Sequence, residues 1–79
     1  MSNEIDQTIR AILSDIRDGL DFSNTSTDAD FGDVGLDSLD TASLLLEVQE
    51  RFGVKISDDD AEDLNTIGKL AAFISKSQA

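Results

Sequence analysis

Residues 35–53 read GLDSLDTASLLLEVQERFG: a glycine-bearing approach, a serine between two aspartates, and an apolar pattern at helical spacing that stops at Gly53. At roughly 100° per residue, Thr41, Leu44, Leu45, Val48 and Phe52 gather on one side as a core stripe. Asp37 or Ser38 can cap the start and Gly53 can end it, so the spacing predicts a helix over 38–52. Leu39 and Leu46 project almost opposite, beside Ala42, Ser43, Gln49 and Glu50. Single exposed leucines are common and carry no message. Two of them aligned next to Ser38 are not needed for a core and point to a partner surface.

Ser38 itself sits where a loop becomes a helix. A hydroxyl there is exposed, lies at the positive end of the helix dipole, and suits a phosphate ester. The chain has neither histidine nor cysteine. No imidazole of this chain can activate the serine, so Ser38 reads as an attachment point rather than a catalyst, and no enzyme activity is expected. The G-x-S-x-G elbow is also missing, because the serine falls one place late and the second glycine is absent. A calcium loop starting at Asp28, Asp30 and Asp33 fails on spacing: Asp33 stands where glycine is required and Leu39 where a bidentate glutamate belongs. The acid clusters, Asp58-Asp59-Asp60 among them, are expected to attract cations loosely, and no dedicated metal site is predicted.

Working outward, Ile5, Ile9, Ile12, Leu13, Ile16 and Leu20 recur on one face, which predicts a first helix from Glu4 to Leu20. Ser2 or Asn3 is expected to cap it and Gly19 to stop it. Residues 19–37 form a long connection, with Phe22, Phe31, Val34 and Leu36 as apolar anchors. The run Ser23-Asn24-Thr25-Ser26-Thr27-Asp28 within it reads as loop. Long pinned loops in compact domains are more often functional than incidental. One or two short helical turns are expected over 58–64, and a last helix over 66–76 with Ile67, Leu70, Ala71 and Ile74 inward. Val54-Lys55-Ile56 alternates too briefly to argue a sheet. The fold class expected is all-α, a small bundle of three main helices and one minor helix.

The 79 residues fit one domain, 1–79, with a thin core. Seventeen acidic against six basic residues give a formal net charge of −11, with a pI near 4.1. That surface repels nucleic acid and anionic membranes and attracts proteins with basic patches. The lack of cysteine fits a reducing, cytoplasmic setting. No leader and no long apolar run appears in the sequence, so neither a signal peptide nor a membrane span is expected.

The stretch Gly35-Leu36-Asp37-Ser38-Leu39-Asp40-Thr41 resembles the phosphopantetheine attachment motif of acyl carrier proteins. The resemblance runs on through Leu44–Ile56 into Asp58-Asp59-Asp60-Ala61, and covers the whole chain in length, helix order and charge. It implies a four-helix carrier domain with 4′-phosphopantetheine on Ser38, flanked by Asp37 and Leu39. A phosphopantetheinyl transferase would install the arm from coenzyme A, and the arm's thiol would hold acyl groups as thioesters for fatty acid, polyketide or related lipid metabolism. Asp37, Leu39, Asp40, Leu46, Glu47 and Glu50 would then meet acyl-transferring or condensing enzymes through their basic patches, with Leu39 and Leu46 as apolar anchors in an acidic strip. A monomer and a free-standing chain are expected. Should the bundle shelter a cargo chain, Leu45, Val48, Leu64, Ile67 and Ala71 are the positions able to line the gap, and all five are equally plain core residues. Three departures stand out. Ser43 and Gln49 occupy places where housekeeping fatty-acid carriers usually have glutamates, and Ser57 replaces the usual proline before the third helix. Residues 44–54 are also similar to D-alanyl carrier proteins, so aminoacyl cargo stays open, while Asp37 argues against a peptide-synthetase carrier.

Overall fold

Four helices make up the computed structural model, which describes residues 2–18, 21, 22 and 24–77: α1 (Ser2–Ile16), α2 (Ser38–Phe52), α3 (Asp58–Asp63) and α4 (Ile67–Ser77). The described residues contain no strand, only an isolated antiparallel bridge between Asp30 and Thr66. The all-α four-helix fold expected from the sequence is therefore the fold observed. α1 packs against both α2 and α4. Ile5, Ile9, Ile12 and Leu13 of α1 meet Leu44, Leu45 and Val48 of α2 and Ile67, Leu70, Ala71 and Ile74 of α4 in one core. Loop residues Phe22, Phe31 and Leu36 are buried in it, with Val34 packed at its margin. The core therefore reaches up under the long connection, and that fixes where α2 begins.

Helix limits differ from expectation at several ends: α1 starts at Ser2 rather than Glu4, so Ser2 and Asn3 fall within it instead of capping it, and α4 runs one residue further, to Ser77. α1 ends at Ile16 rather than Leu20. The Arg17 N–H still closes onto the Leu13 carbonyl at 2.9 Å, after which the chain bends away. That bend lets Phe22 enter the core and brings its carbonyl to Arg10. Thr66 precedes α4 instead of joining it, and its hydroxyl accepts the Lys69 N–H at 3.1 Å as a cap. Leu64 likewise follows α3 rather than ending it. The caps named at Ser2 or Asn3 concern side chains outside those described; Gly19, Leu20 and Ser23 also lie outside the described residues. Gly53 ends α2 as expected, with φ +65°, a left-handed conformation that a Cβ would strain.

The long connection is tied down by polar bonds that the apolar pattern could not show. Arg10, paired with Asp6, donates to the Phe22 carbonyl and, at 2.7 Å, to that of Thr25. Asp30 holds the other end: its carboxylate accepts the Gly32 N–H and the Asn65 side-chain amide, both at 2.8 Å. Phe31 N–H donates to the Asn65 carbonyl at 2.9 Å, and Gly68 N–H to that of Thr27 at 2.9 Å. Gly68 suits this close approach, since a Cβ would lie 3.2 Å from the same Thr27 oxygen and push it back by a few tenths of an ångström. The aspartate considered above for calcium is thus a loop fastener. No group of three metal-binding side chains converges among the described residues.

Ser57, standing in the place of the expected proline, caps α3: its hydroxyl accepts the Asp60 N–H at 3.1 Å. A residue without ring constraint therefore still starts this helix sharply. The five positions able to line an internal gap, Leu45, Val48, Leu64, Ile67 and Ala71, are all buried core residues. Of these only Leu45 also borders the surface groove beside Ser38.

Candidate functional site

Asp37, not Ser38, caps α2. The Asp37 carboxylate accepts the Asp40 N–H at 2.9 Å, and the Asp40 carboxylate accepts the Asp37 N–H at 3.3 Å, a reciprocal capping box. The Asp37 carbonyl takes the Thr41 N–H at 3.0 Å and the Thr41 hydroxyl at 3.1 Å. With the cap supplied by its neighbour, Ser38 is the first residue of the helix, is exposed, and has no hydrogen bond to its hydroxyl among the described residues. Leu36 is buried immediately before it. Gly35, at φ +100°, makes the turn that sends the backbone from the buried Leu36 contact back into the loop.

Hydrogen bonding lowers the Asp37 carboxyl from its ordinary value of 3.8: chiefly the Asp40 N–H, then that of Leu39 and the Asp40 side chain, with Arg17 adding attraction. Partial desolvation works the other way. Because the folded value is the lower one, ionised Asp37 contributes stability above pH 3.8, and that contribution is lost as pH falls from there through the lowered value. Melting the wild type and Asp37→Asn from about pH 6 to about pH 3 should show the difference, since Asn keeps the capping oxygen but not the titration. The wild type is expected to lose melting temperature more steeply than the variant below pH 3.8. Parallel curves would contradict the assignment.

The second helix has the two faces expected. Leu44, Leu45 and Val48 are buried, whereas Leu39 is 78% and Leu46 61% exposed, the two large apolar side chains left outside among the described residues. Ala42, Ser43 and Glu50 share that outer side. Gln49 does not, which corrects its placement: it is half-buried, donates to the Leu45 carbonyl at 3.2 Å and accepts the Ile56 N–H at 3.1 Å. It braces the turn into α3. The acids are unequally committed. Glu50 is exposed. Glu47 pairs with Arg51 at 3.1 Å, and Asp40 is mostly shielded and pairs with Arg17 at 3.3 Å.

Beside Ser38 runs an open groove of about 600 Å³ between the long connection, α2 and α3. Phe31, Leu36, Ala42, Leu45 and Ala61 give it an apolar floor, and Asp30, Asp37, Glu62 and Asn65 a polar edge. Its walls come from three segments distant in sequence, which is why sequence reasoning missed it. Arg17 was missed for a related reason, since it finds its partner only across the fold.

The phosphopantetheine attachment site family matches residues 7–74 of the chain. Among solved structures, the fold is similar to a solution structure from Anaplasma phagocytophilum that carries the provisional assignment of acyl carrier protein. That likeness has a TM-score of 0.88 and 28% sequence identity, over 99% of this chain and 92% of the other.

Proposed function

The chain belongs to the acyl carrier protein family, whose prosthetic group is 4′-phosphopantetheine, and we propose that it carries this group on Ser38 as a discrete single-domain carrier of acyl intermediates. One observation supports Ser38 above all: its hydroxyl is exposed at the amino end of a fifteen-residue helix and is left uncommitted because Asp37 makes the cap. The residues fit the group, since the helix end favours the phosphate and a groove of about 600 Å³ lies alongside. When bound, the group supplies the thiol that a chain without cysteine lacks, and so allows cargo to be held as a thioester.

Loading is the work of a phosphopantetheinyl transferase. The Ser38 oxygen forms the new O–P bond as the pyrophosphate link of coenzyme A breaks, adenosine 3′,5′-bisphosphate departs with the bridging oxygen, and the hydroxyl proton leaves to a base that the transferase supplies. Client enzymes meet the outer face of α2, where Leu39 and Leu46 give modest apolar contact and Asp37, Glu47 and Glu50 draw basic patches. Charge attraction speeds encounter, and a small apolar contact permits release. A monomer in the cytoplasm, serving fatty acid, polyketide or related biosynthesis, is the reading this supports, with aminoacyl cargo as its alternative. The role is that of an enzymes' substrate rather than an enzyme.

Intact mass after incubation with coenzyme A and a promiscuous transferase tests the proposal. A single arm-sized gain is expected on the wild type. No gain would leave a non-covalent acidic adaptor as the better description.

A further inference from the structure

Asp37 and Asp40, the two carboxylates of the capping box, stand three residues apart at the start of α2, where the helix dipole favours them and a further counter-charge adds to that. The structure supplies one from outside the helix. Arg17 Nη1 lies 3.3 Å from Asp40 Oδ2, and that same oxygen accepts the Asp37 N–H at 3.3 Å. The Asp40 N–H returns to Asp37 Oδ1 at 2.9 Å. Ser38 lies inside this box, immediately after the first of its two residues. Arg17 is itself anchored, because its N–H bonds to the carbonyl of Leu13, which is fully buried. Arg10 and Arg51 are engaged with Asp6 and with Glu47 and Asp15, and Lys69 with Asn65. Among the described residues, Arg17 therefore makes the one ion pair at the amino end of α2.

Resting on the reading of Ser38 as the attachment point, we infer that Arg17 is a positioning residue for its modification: from the end of α1 it holds the capping box of α2 in the form that presents the Ser38 hydroxyl. It touches neither the hydroxyl nor coenzyme A and acts through the Asp40 carboxylate. A plain surface charge would behave differently. Removing a cation from so acidic a surface strengthens its attraction for a basic transferase, so a purely electrostatic role predicts a lower KM and an unchanged kcat. The positioning role predicts a lower kcat without a rise in KM.

The experiment compares Arg17→Ala, Arg17→Lys, Asp40→Asn and the Arg17→Ala/Asp40→Asn double variant. Arm transfer from coenzyme A is followed by intact mass, and 1H–15N spectra are recorded on the unmodified proteins. Arg17→Ala is expected to lower kcat about two- to fivefold, the range of one exposed ion pair. Arg17→Lys should recover most of that loss. The double variant should be no slower than the slower single variant, since both act on one carboxylate. The Asp37 and Asp40 amide resonances should shift in Arg17→Ala. Unmoved amides, additive kinetic effects, or an unchanged kcat would each overturn the inference. A wild type that accepts no arm would instead remove the attachment reading, while the amide shifts still report on the clamp itself.

Discussion

Ser38→Ala is expected to abolish the arm-sized mass gain completely while leaving the fold and its stability nearly unchanged. Loss of the gain follows from chemistry: no other group in the capping box can form the phosphate ester, since Asp37 and Asp40 offer carboxylates and Leu39 an aliphatic chain. Unchanged stability follows from geometry. Serine at a helix start usually caps, and removing such a cap typically costs about 0.5–2 kcal/mol. Here Asp37 accepts the Asp40 N–H and Ser38 is already inside the helix. Alanine is a better helix former than serine, so the change should lie within about 0.5 kcal/mol. Intact mass and a thermal melt on the same sample decide both halves. An equal mass gain on Ser38→Ala would move the attachment elsewhere, and a substantial loss of stability would contradict the assignment of the cap to Asp37.

Leu44→Ala and Leu46→Ala should diverge sharply although the residues are two positions apart. Leu44 is wholly buried in the core, whereas Leu46 is 61% exposed. Truncating a buried leucine removes its transfer energy and leaves a cavity, at about 2–5 kcal/mol. A domain of this size has only about 4–12 kcal/mol in total. Leu44→Ala is therefore expected to lower the melting temperature by on the order of 10–30 °C. Leu46→Ala should stay within about 0.5 kcal/mol by circular dichroism, yet slow productive encounter with acyl-handling enzymes. Similar melting temperatures for the two variants would show the face assignment of α2 to be wrong.

The second helix was legible because its signals are local. A stripe at helical spacing, a capping aspartate and a terminal glycine fix its ends without reference to the rest of the chain. The choice between Asp37 and Ser38 as cap was not local in the same way, since both residue types cap well. Asp40, three places on, settles it by returning the bond. Gln49 was misplaced because angular plots follow the Cα–Cβ direction, and a long amide side chain can fold back to serve the Ile56 N–H. Arg17 offered only an exposed cation in the sequence, because its partner lies 23 positions away. The end of α1 shifted for a tertiary reason as well: the chain leaves the helix early so that Phe22 can reach the core. The groove could not be foreseen, because Phe31, Ala42 and Ala61 become neighbours only after the loop is fastened to Asn65.

The third helix has six residues and none is buried. Its ends are closed locally, by the Ser57 cap and by the Leu64 N–H on the Ala61 carbonyl, and within it only the partly covered Ala61 packs against the core. One side of the groove is thus a helix with no buried side chain, while the opposite side belongs to the second helix, which buries three. An arm on Ser38 would lie beside that shallowly seated flank, with the buried face of the second helix opposite it.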